Sequence, residues 1–128
     1  MLNEFGEDVL NTYLLNADHT PRLVEPLEWA ADIDDIPPVG ITSIHDVEVS
    51  TVFLGVTFPS PGKADMLFET TIKGGKFSGM CIEYASYAQA ENGHWILVAL
   101  AGDLPCWRVI VMRWCYRMRT WTPRRFLK

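Results

Sequence analysis

Basic residues are scarce over most of this 128-residue chain: only Arg22, Lys63, Lys73 and Lys76 stand among the first 103 positions. All 16 acidic residues lie in the same stretch, which therefore carries a formal charge of −12. No run of about 20 apolar residues exists, and a membrane-spanning helix needs that length. The longest strongly apolar stretch, residues 95–101, is closed by Asp103 and Pro105 and reads as a buried element. The acidic start, with Glu4, Glu7 and Asp8, lacks the basic-then-apolar order of a secretory signal. Cysteine is sparse. Cys81, Cys106 and Cys115 have no CxxC spacing, and an odd number cannot all pair within the chain. Buried thiols in a reducing cytosol are the expectation. The spacing of these cysteines from His19, His45 and His94 argues against a zinc site. No glycine-rich nucleotide fingerprint, nucleophile elbow or metalloprotease helix is found. The chain is therefore expected to be non-enzymatic, with no cofactor and no metal.

What is present is the composition of a folded domain: 48% hydrophobic and 21% charged residues, without repeats or low-complexity segments. A single domain over residues 1–128 follows from the length. Its final part, residues 104–128, is rich in tryptophan and arginine and carries +7. Such a segregation of charge marks a nucleic-acid surface, or a basic end that packs on an acidic body, its own or a second copy's.

Tyr13, Leu14 and Leu15 read as a short strand, and the turn formers from Asn16 to Pro21 follow. Pro26 suits the first turn of a helix, where its missing donor is not needed. Leu27, Ala30, Ala31 and Ile33 have helical spacing around Trp29, and Pro37 and Pro38 end that segment. Residues 47–58 are dense in β-branched and aromatic side chains and predict a strand, apolar on both faces beyond Thr51. Further strands are expected over residues 66–72 and 77–84, with Gly74-Gly75 between them. Ser86 and Gln89 form a capping box for a helix over residues 87–101, with Gly102 at its C-terminal cap. Gly93 inside it costs about 1 kcal/mol relative to alanine. The fold class is therefore α+β: an antiparallel sheet of about four or five strands, packed against one main helix and a shorter one near Trp29.

The basic end fits two periods. Met112, Trp114, Tyr116 and Met118 alternate with Arg113, Cys115, Arg117 and Arg119, which predicts an exposed, arginine-fringed edge strand. As a helix it would align Trp107, Ile110, Trp114, Met118 and Trp121 instead. Arg113, Trp114, Tyr116, Arg117, Arg119 and Trp121 are candidate partner-binding residues, because arginine and aromatics dominate interface hot spots and also stack on bases. Asp32, Asp34 and Asp35 are acidic candidates; they lack the order and glycine of a calcium loop and read as a solvated cluster.

Other residues carry side chains capable of chemistry. Glu69, within an apolar strand, reads as outward-facing or arginine-paired rather than as an acid or base. His94 reads as structural, Asp18 with His19 as turn chemistry, and Gly74-Gly75 between Lys73 and Lys76 as a hairpin turn rather than a phosphate loop.

Ser50-Thr-Val-Phe-Leu-Gly55, Leu67-Phe-Glu-Thr70, Gly74-Gly75, Tyr84 and Ala90-Glu-Asn-Gly-His94 follow one another in order, with Leu27-Glu-Trp-Ala30 upstream. This order resembles a group of small uncharacterised bacteriophage and prophage proteins, over residues 13–94. The departures are Thr71, where the group carries methionine, and the ending after His94, which is less polar than the group's. The resemblance implies a phage context and the cytoplasm of a bacterial host, and supplies no catalytic residues. The expectation is a phage accessory protein that binds a host protein or ribonucleoprotein complex, such as an anti-CRISPR inhibitor, and no membrane. The alternatives are a phage assembly protein that self-associates through its C-terminal segment, and a nucleic-acid-binding regulator that uses the arginines.

Overall fold

The computed structural model describes residues 10–59, 62–105, 107, 108, 110 and 113. Strands β1 (Asn11–Leu15) and β2 (Pro21–Val24) form an antiparallel hairpin. Asn16 N–H donates to the Thr20 carbonyl at 2.9 Å, and the Asp18 carboxylate accepts from the Thr20 N–H and hydroxyl. Helix α1 (Pro26–Asp32) has proline in its first turn, as expected, and runs into a 3-10 turn, Ile33–Asp35.

Apart from Trp29, whose half-buried indole lies against Gly55, the apolar spacing of α1 does not become a packed face. No residue of α1 is buried, and Leu27 is 86% exposed. The helix is only two turns long, and the side chains that reach the core, Ile33 and Ile36, lie beyond its end.

Strands β3 (Gly40–Ile44), β4 (Val47–Phe53), β6 (Phe68–Lys73) and β7 (Cys81–Tyr84) make a four-stranded antiparallel sheet in the order β3-β4-β6-β7. Strand β5 (Val56–Thr57) leaves it and pairs with β1, giving a second sheet, β2-β1-β5. The α+β class is as expected, with the strands divided between two sheets. The expected strand over 47–58 is broken because Gly55 turns the chain at φ +70°. There Tyr13 N–H donates to the Gly55 carbonyl at 2.6 Å, while Leu54 N–H donates to Leu67 at 2.7 Å, so one residue faces each sheet. Only the odd positions Val47, Val49, Thr51 and Phe53 are buried, so β4 is central in its sheet but covered on one face. The third expected strand begins at Cys81, because Gly74, Gly75 and Gly79 hold the preceding residues in turns.

Helix α2 (Tyr87–Gly102) covers the inner face of the four-stranded sheet. Ser86 Oγ accepts from Gln89 N–H, and Gln89 Oε1 from Ala85 N–H, which is the expected capping box with its second bond one residue earlier. The left-handed cap is Asp103, at φ +51°, and not Gly102. Gly102 instead lies close to Ile44: a Cβ there would be 2.8 Å from Ile44 Cδ1, so the end of that side chain would have to shift. A Cβ on Gly93 would likewise enter the ring of Tyr84. Beyond Pro105, the described positions Trp107, Arg108, Ile110 and Arg113 are helical. The strand expected over residues 112–119 meets the described residues only at Arg113, which is helical and reaches back to α2; before it, Arg108 N–H closes a turn on the Pro105 carbonyl. Among the described residues no helix is long and apolar enough to cross a membrane.

Candidate functional site

The inner face of the sheet holds two apolar clusters. One gathers Ile44, Val47, Val49, Ile72, Trp95, Leu97 and Val98, and the other Val39, Phe53, Leu67, Phe68 and Ala90. Between them lies a polar layer. Thr51 and Thr70 are cross-strand partners whose hydroxyls meet at 2.6 Å. Thr51 Oγ1 is also 2.7 Å from His94 Nδ1, and His94 Nε2 is 2.9 Å from Thr42 Oγ1. His94 is 1% exposed. Gly40 lies against the ring so closely that a Cβ would sit 2.9 Å from Nε2. Burial lowers its pKa to about 4, so the ring is neutral near pH 7. With both nitrogens engaged and no solvent access, His94 is a structural histidine, joining α2 to β3 and β4.

Glu69 lies on the opposite, outer face of the sheet, across from Val52 on one side and Glu83 on the other. The exposed Cys81 thiol is pushed up chiefly by its hydrogen bond to Glu69, with burial and the charges of Glu69 and Glu83 adding to it. A thiol held protonated in this way is a poor nucleophile. Gly74 and Gly75 lie in the connection between β6 and β7, where Gly74 N–H donates to Ser78 Oγ at 3.0 Å. Lys76 lies 5.3 Å from the centre of the Phe77 ring. Among the described residues no three His, Cys, Asp or Glu side chains group as a metal site.

Asp32 ends α1, and Asp34 and Asp35 lie in the 3-10 turn; all three are exposed. Glu25 and Glu28 extend the series along α1, with Glu28 held by Arg22 at 3.0 Å. Glu25, Glu28 and Asp32, spaced i, i+3 and i+7, share one side of the helix, with Leu23, 65% exposed, beside Glu25 and Glu28, while Leu27 points away from them. The result is an acidic face with an apolar side chain at its edge. Arg113, from the basic end, is not free: its guanidinium is 3.1 Å from Glu91 Oε1 and 2.7 Å from Asn92 Oδ1. The structure therefore does not bring Arg113 to the acidic candidates but to α2. Trp114, Tyr116, Arg117, Arg119 and Trp121 lie outside the described residues.

Sequence reasoning missed a cleft beside the acidic face. His19 stacks on Tyr87, with ring centroids 3.8 Å apart and planes 9° apart. No local pattern joins residues 68 positions apart, and only the turn formers around His19 hinted at a fixed loop there.

Fold and surface together define a small α+β protein whose polar interior is structural and whose distinctive exposed feature is an acidic, partly apolar face. In comparisons with protein-family models, with curated proteins and with solved structures, nothing matches this chain.

Proposed function

We propose that the chain is a non-enzymatic, phage-encoded binding protein that inhibits a host defence complex, in the manner of an anti-CRISPR protein. The observation that carries this reading is the series of exposed carboxylates Glu25, Glu28, Asp32, Asp34 and Asp35 along and just beyond α1, with exposed Leu23 beside Glu25 and Glu28. A negative rim steers the face to a basic partner, and apolar side chains supply contact area once it is docked. A groove built to hold nucleic acid offers that basic surface. The phage and host assignments rest on the resemblance carried by residues 50–55 and 67–70. Engagement by Glu91 and Asn92 takes Arg113 out of a free arginine surface.

The test is phage plating on a bacterial host with an active RNA-guided defence. The intact chain restores plaques, and the triple variant Asp32→Lys/Asp34→Lys/Asp35→Lys, folded by circular dichroism, does not. Equal plating with and without the intact chain overturns the reading. A second reading, self-association, is favoured by Ile96, Leu100, Trp107 and Ile110, which are 67%, 46%, 66% and 67% exposed. Under it, light scattering gives a dimer mass that Ile96→Glu returns to monomer.

A further inference from the structure

A cavity of about 310 Å³ opens between the β1–β2 turn, the Pro37-Pro38 connector and the first turn of α2. Among its lining residues are Leu15, Asn16, His19, Asp35, Pro37 and Tyr87. The stacked His19 and Tyr87 rings form one part of that lining, and both are held in place. Asn16, Asp18 and Thr20 brace the turn that keeps His19 at φ +67°. Tyr87 packs edge-on against Phe68, at 6.1 Å and 78°. Leu15 and Pro37 are apolar, and Asp35 is the one carboxylate lining the space among the described residues. Among the described residues no lysine or arginine lines it.

A rigid aromatic pair, an apolar wall and one carboxylate are complementary to a guanidinium group. Its plane stacks on an aromatic ring, its fork pairs with a carboxylate, and its three-carbon stem lies on apolar surface. An ammonium has no plane to stack, and an anion meets Asp35. We propose that this cleft receives an arginine side chain of the partner protein, with the guanidinium on Asp35 beside the His19–Tyr87 stack. The inference rests on the binding function above and names the partner chemistry. Asp35 belongs to both surfaces, so the arginine anchors a partner that the acidic face attracts.

The test is an amide NMR titration of the full chain with the blocked tripeptide Gly-Arg-Gly. The control is the same peptide carrying citrulline, the neutral counterpart of arginine. The arginine peptide shifts the resonances of residues 15–19, 35–38 and 87 saturably, and the citrulline peptide does so at least about tenfold more weakly, as loss of a charge-assisted hydrogen bond requires. Asp35→Asn weakens the arginine peptide by a similar factor. His19→Gly, which tolerates the left-handed backbone while removing the ring, weakens it as well. Equal binding of the two peptides, shifts centred elsewhere, or an unchanged Asp35→Asn titration overturns the proposal. If the chain fails to restore plaques and the titration still succeeds, the host-defence reading falls and the arginine cleft stands.

Discussion

At the scale of single residues the strongest consequences belong to His94. Its pKa of about 4 lies below the 6.5 of an unhindered imidazole. Between those two values the unfolded chain takes up a proton that the folded chain refuses. The stability from this group is therefore complete above pH 6.5, declines as the pH falls through the window, and levels off below about 4. The decline reaches about 3 kcal/mol. Urea titrations at successive pH values measure it, and His94→Gln, which keeps hydrogen-bonding capacity without titrating, removes this component. His94→Ala leaves a cavity and strips Thr42 and Thr51 of their imidazole partner, for an expected loss of about 2–4 kcal/mol at pH 7 in the same titration. Part of this layer was legible. Thr51 alternates with Val47, Val49 and Phe53, and Thr70 with Phe68 and Ile72, which places both hydroxyls on the core face. That His94 meets them was not legible, because 43 residues separate it from Thr51 and only the docking of α2 closes that distance.

At the scale of elements, α2 was the clearest reading, since capping chemistry is local and Ser86 and Gln89 act within one turn. Its C-terminus was misplaced by one residue. Glycine commonly marks a left-handed cap, but Gly102 answers to Ile44 and leaves the left-handed position to Asp103. Asp103→Gly is thus expected to raise stability by about 0.5–1 kcal/mol by relieving a backbone conformation that glycine adopts freely. Gly93→Ala tests the opposite balance. Helix propensity alone favours alanine by about 1 kcal/mol, but the new methyl enters the Tyr84 ring, and the expected net effect is a lower melting temperature. Helix α1 was placed from Pro26 and the proline pair, both local signals, whereas its apolar spacing said nothing about burial. The same blindness affected the segment after Pro105: two periods fitted the residues, and the contacts that Arg113, helical there, makes with Glu91 and Asn92 of α2 are not visible in either.

At the scale of the whole molecule, the connection between the two sheets passes through Gly55. Its φ of +70° and the 2.5 Å between a would-be Cβ and the Tyr13 carbonyl leave no room for another residue. Gly55→Ala is expected to cost about 2 kcal/mol or more, measured by thermal unfolding, and to loosen β1 and β5 in amide exchange before the four-stranded sheet. The Leu-Gly pair was visible in the sequence, but a chain that changes sheets looks locally like one long strand.

The two apolar clusters would grip α2 almost equally well after a shift along its axis, because oily contacts are tolerant of their neighbours. The layer between them is not tolerant. One helical turn from His94 in either direction stand Ala90 and Val98, and neither can answer a hydroxyl. A ratchet of α2 by one turn would therefore leave the inward-facing threonines without their ring partner in a dry interior. The histidine thus serves as an index pin: adhesion comes from the hydrocarbon on both sides, and the address at which the helix stops comes from two threonines, Thr42 and Thr51.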